Sequence, residues 1–60
     1  MRKYNCSYLN ESGDSLDESL QSVVAVTPEA AAALYSRRYP EEYPGILVEW
    51  GLGESQIVSN

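Results

Sequence analysis

The sequence predicts one small α+β domain spanning residues 1–60, with element order β–β–α–β–β and one helix packed on one face of an antiparallel or mixed sheet. Three observations predict it. Residues 27–39, TPEAAAALYSRRY, carry a complete set of helix signals. Two stretches before them and two after them have the period of two, or the β-branched content, expected of strands. Finally, turn-forming residues separate the first two stretches, the helix from the third and the last two, while the second leads directly into the helix cap.

The helix is the most strongly encoded element. Thr27 can cap it through its hydroxyl, Pro28 takes the first helical position, where its missing N–H costs nothing, and Glu29 faces the positive end of the dipole. Ala30, Ala31, Ala32 and Ala33 are the best helix formers. Arg37 and Arg38 suit the last turn, and Pro40 stops the helix. Ala31, Leu34, Tyr35 and Arg38 share one stripe, and Ala30, Ala33, Leu34 and Arg37 share its neighbour; Leu34 belongs to both and is expected in the core.

Within residues 1–9, Tyr4, Cys6 and Tyr8 alternate with Lys3, Asn5 and Ser7, which predicts a half-buried strand with the aromatic side inward. Residues 10–19, NESGDSLDES, read as a loop running into a strand. The capping-box spacing of Ser15 and Glu18 also allows a short helical turn. Residues 20–26, LQSVVAV, are expected to form a central strand pairing antiparallel with the first. Residues 39–44, YPEEYP, form a stiff connection. Ile46, Val48 and Trp50 then share one strand face, residues 51–53 (GLG) suit a hairpin turn, and residues 54–58 form an edge strand. Ser59 and Asn60 are expected to fray.

A chain of this length buries only about 60% of its unfolded surface, so its stability is marginal. Its single cysteine, Cys6, cannot staple a monomer, which favours a reducing cytoplasm. No signal segment precedes the first strand, and the longest apolar run is far short of the roughly 20 residues that span a bilayer.

Catalysis is not expected. The chain has no histidine, so it lacks the commonest general base and metal ligand. Cys6 has no activating partner and reads as a buried, inert thiol. The serines and glycines form no nucleophile elbow or phosphate loop. Glu11, Asp14, Asp17 and Glu18 do not have the spacing of a calcium loop. No catalytic residue, metal or cofactor is therefore assigned.

Charge is more informative. Nine acids and four bases give a formal net charge of −5, which argues against direct nucleic-acid or membrane binding. It suits a basic protein partner, and also simple solubility. The bases form two pairs, Arg2/Lys3 and Arg37/Arg38. Two acidic blocks contain no base: Glu11, Asp14, Asp17 and Glu18 in the first loop, and Glu41, Glu42, Glu49 and Glu54 beyond the helix. These eight are the candidate residues of one negative surface. Tyr39 and Tyr43, set between prolines and glutamates, are candidate interface anchors. Carboxylates at i and i+2 on a strand would stand about 6–7 Å apart, near the phosphate repeat of DNA.

In size, acidity and single-domain make-up the chain resembles small phage-encoded anti-CRISPR proteins that inhibit type I effector complexes, type I-C among them. No diagnostic motif carries the resemblance; the profile of the whole chain does. It implies a non-enzymatic inhibitor in the host bacterial cytoplasm. Such an inhibitor would bind a CRISPR-Cas surveillance complex and block its target DNA, acting as a DNA mimic or through a mixed acidic and tyrosine interface. The alternative is an antitoxin-like or regulatory adaptor that acts by protein–protein contact, or by homodimerising through the sheet edge near Ile57. A monomer is expected ahead of a homodimer.

Overall fold

The alternation in the first nine residues becomes strand β1, Arg2–Leu9, in a computed structural model that describes residues 1–60. Tyr4, Cys6 and Tyr8 all point inward and are buried. Strand β1 has a partner on each side. Strand β2, Gln21–Ala25, pairs with its first half, with Tyr4 opposite Val23. Strand β3, Gly45–Trp50, pairs with its second half, with Cys6 opposite Val48 and Tyr8 opposite Ile46. Strand β4, Glu54–Ser59, pairs with β3. All pairings are antiparallel and the order is β2-β1-β3-β4. The helix packs on one face, so the β–β–α–β–β architecture expected from the sequence is the one observed.

The position of β2 differs from expectation: it is an edge strand, not a central one. After the helix the chain returns to the far side of β1, which leaves the outer edge of β2 free. Only Val23 and Ala25 of β2 are buried. The β-branched content that suggested a central strand serves a pleated edge equally well.

The helix, α1, spans Pro28–Arg38. Thr27 has extended backbone angles, and its hydroxyl oxygen accepts the Ala30 N–H at 3.1 Å, a cap that stabilises by about 1 kcal/mol. The buried stripe is Ala31, Ala32 and Tyr35, whereas Leu34 is only half-buried. Tyr35 takes the core position, and the residues three and four before it share its face. That turns Leu34 about 100° away, toward the flank of the helix. The alanines let the helix lie close to the sheet.

The segment 10–19 combines both readings left open by its sequence. It is a loop whose residue Ser15 bridges to Leu9, followed by one 3₁₀ turn at Asp17–Ser19. The β3–β4 turn falls on residues 51–53, where Gly51 (φ 61°) and Gly53 (φ 90°) take left-handed angles that suit glycine. The C-terminus is tied down rather than frayed. Ser59 belongs to β4, and the Asn60 side-chain amide donates to the carbonyls of Glu41 and Tyr43 at 2.9 and 2.8 Å. No helix is long and apolar enough to cross a membrane.

Cys6 lies at the centre of the core and has no exposed surface. Burial pushes its thiol up from 9.0 to about 11. In the unfolded chain the thiol ionises near 9.0, so between 9.0 and about 11 the unfolded state holds fewer protons and stability falls as pH rises. The contribution is fully present below that window. We expect urea melts to lose about 2–3 kcal/mol across it from this group. Cys6→Ala should start less stable but lose the part of the slope between 9.0 and 10.0, below the value from which the buried Tyr8 and Tyr35 are raised.

Candidate functional site

Leu9, the last residue of β1, lies opposite Gly45, the first of β3. This pairing brings the β1–β2 loop and the α1–β3 connection to the same end of the sheet. Glu11, Asp14, Asp17 and Glu18 are on the first; Tyr39, Glu41, Glu42 and Tyr43 are on the second. All eight side chains are exposed. Six of the nine acids thus gather at one end, bordered by Arg37 and Arg38 in the last turn of α1.

The loop is locally built. The Asn10 side-chain oxygen accepts the Ser12 and Asp14 N–H groups at 2.9 and 3.0 Å, and the Asn10 N–H donates to the Asp14 carbonyl. Gly13, at φ 85°, closes this turn. Farther along, the Ser19 hydroxyl donates to the Leu16 carbonyl and accepts the Tyr8 N–H. Asp17 and Glu18 sit in the 3₁₀ turn between these anchor points.

Two buried phenols then fasten the acidic segments to the core. Tyr35 donates its hydroxyl to the Ser19 carbonyl, and Tyr8 donates its own to the Tyr39 carbonyl. Their rings lie 4.8 Å apart. Tyr39 packs against Tyr35 and Tyr43 against Tyr8 with tilted rings, centroids 5.6 Å apart in each pair. The outer pair are 40% and 37% exposed, so each ring rests partly on the core and offers the remainder to solvent. Such rings are held in place before any partner arrives, which lowers the entropic cost of contact.

A cleft of about 190 Å³ joins the two acidic segments, with Glu18 and Gln21 on one wall and Tyr39 and Glu41 on the other. Tyr8 and Tyr35 form its floor. Burial raises both phenol pKa values, and the nearby Glu41 charge adds to the rise. The phenols therefore stay protonated and keep donating at neutral pH. The cleft offers carboxylates and ring faces, which suit a cationic side chain.

Glu49 and Glu54 do not join this surface. The β3–β4 hairpin carries them to the opposite end, where they share a cleft of about 280 Å³ with Lys3 and Asn5. Six residues of strand, about 20 Å, separate Lys3 from Leu9. None of the six gathered acids lies on a strand, so the regular i, i+2 ladder of carboxylates is absent. No group of three or more acids is placed to hold a metal ion.

In the sequence Tyr8 and Tyr35 read only as core, and Ser19 and Asn60 carry no expected role. A signal exists for the tyrosines: a buried phenol needs a hydrogen-bond acceptor. Nothing local marked Ser19 or Asn60. No protein-family model, curated protein or solved structure matches the chain.

Proposed function

We propose that the chain is a non-enzymatic inhibitor whose acidic end seats on a basic, DNA-handling protein complex and blocks access of DNA. The observation that carries this reading is the gathering of six exposed carboxylates and two fixed tyrosines onto one end of the molecule by two separate segments. Dispersed acids would suffice for solubility; their concentration beside pre-positioned rings favours recognition. The type I CRISPR surveillance complex, implied by the chain's resemblance to anti-CRISPR proteins, is the first target to test.

Non-enzymatic action is supported by the state of the chain's one thiol: Cys6 is buried and held protonated. Without a regular carboxylate ladder, we favour a mixed acidic and aromatic interface over strict imitation of a phosphate backbone. Competition tests the reading. A purified type I complex preloaded with the chain should fail to retain labelled target DNA, and excess DNA should displace the chain. A complex that holds both together would overturn blockage at the DNA site.

A further inference from the structure

We infer that the cleft between Glu18 and Glu41 is a receptor for one arginine side chain, taken in preference to lysine. The preference belongs to the chain alone. That the arginine is one the partner uses on DNA rests on the proposed inhibitor function, which the inference deepens.

The cleft is built by four parts of the fold: Tyr8 of β1, the 3₁₀ turn with Glu18 and Ser19, Gln21 of β2, and the end of α1 with the connection beyond it. Gln21 stands opposite Cys6 in the β1–β2 ladder, so it shares the helix side of the sheet. No base of the chain is among the lining residues, although Arg37 and Arg38 are close by in the last turn of α1.

Hydrogen bonding decides what the cleft can take. Tyr8 gives its phenol proton to the Tyr39 carbonyl, Tyr35 gives its own to the Ser19 carbonyl, and the Ser19 hydroxyl donates to the Leu16 carbonyl. A hydroxyl has one donor and two lone pairs, so the two phenols of the floor can offer a ligand only acceptors. The Glu41 charge raises the pKa of both phenols, so its carboxylate lies near this floor. Tyr39 is also the C-cap of α1, which brings the negative pole of the helix to the cleft. These features together call for a cation that donates several hydrogen bonds.

Arginine meets that demand better than lysine. Its guanidinium presents five N–H donors in one plane and is more weakly hydrated than an ammonium. The plane can lie along the exposed part of the Tyr39 ring while its edge donates to a carboxylate. Arginines that clamp phosphates in a DNA-handling partner present the same group. Seating one in the cleft would take it away from DNA.

Titrating the isolated chain with N-acetylarginine amide, followed by backbone amide shifts in nuclear magnetic resonance, tests this. Shifts should centre on residues 18–21 and 39–41, with a dissociation constant on the order of 1–10 mM. N-acetyllysine amide should bind at least about threefold more weakly. Glu18→Gln with Glu41→Gln, at two exposed positions, should weaken arginine binding at least about threefold, and Glu49→Gln with Glu54→Gln less than about 1.5-fold. Shifts that do not localise to the cleft, equal binding of the two amides, or equal losses from the two double variants would overturn the inference. A chain that binds the arginine probe in this way but does not bind the type I complex would uphold the inference and overturn the inhibitor reading alone.

Discussion

Tyr35→Ala is expected to unfold the domain at room temperature. The side chain is fully buried, contacts the Tyr8 and Tyr39 rings and donates to the Ser19 carbonyl. Removing a buried aromatic ring costs about 3–5 kcal/mol, and the Ser19 carbonyl would lose its phenol partner, worth about 1 kcal/mol more. A domain of 60 residues has a total stability of only about 3–9 kcal/mol. Far-ultraviolet circular dichroism and a urea melt would report the loss. Tyr35→Phe keeps the ring and should remain folded, losing about 1–2 kcal/mol. Its second effect is local: the 3₁₀ turn carrying Asp17 and Glu18 loses its tie, so amide exchange in residues 16–20 should quicken more than in β3. A cooperative wild-type-like melt for Tyr35→Ala would show that the core is not built around this residue.

Reversing three charges at the acidic end should cost more binding than any other surface change. Glu18→Lys, Glu41→Lys and Glu42→Lys together replace attraction with repulsion. Each exposed pair is worth about 0.2–1 kcal/mol, and reversal counts roughly twice. The sum, about 1–6 kcal/mol, is a loss of at least roughly sevenfold in affinity for the proposed partner, a type I complex. Glu49→Lys with Glu54→Lys makes a comparable change in net charge at the opposite end of the sheet and should alter affinity by less than about threefold. Equal losses from the two sets would mean that net charge, not the gathered end, governs binding. All five positions are exposed, so the folds of both variants should persist, and calorimetry can compare them directly.

What the sequence revealed follows the range of the interactions involved. The helix was legible because its cap, first-turn proline and stop lie within a few residues of it. So was the inward face of β1, because period two needs no partner to be recognised. The Gly51-Leu52-Gly53 turn was legible for the same reason. The place of β2 was not, because it depends on which side of β1 the chain rejoins after residue 44. The buried helix stripe was ambiguous because alanines fit either of two neighbouring faces, and only the ring of Tyr35 decides between them. The acidic surface shows the same division. Four of its acids, Glu11, Asp14, Asp17 and Glu18, share one loop in the sequence, but joining Glu41 and Glu42 to them, and separating Glu49 and Glu54 from them, requires the Leu9–Gly45 pairing and the β3–β4 hairpin.

The proposed recognition is electrostatic and uses the end that carries Glu18, Glu41, Tyr39 and Tyr43. A salt titration of wild-type binding to a purified type I CRISPR surveillance complex tests it most directly. Affinity should fall at least tenfold between about 50 and 200 mM salt, and the triple reversal of Glu18, Glu41 and Glu42 should flatten that dependence. Absence of binding, or binding that is tight, indifferent to salt and unchanged by the triple reversal, would contradict the account.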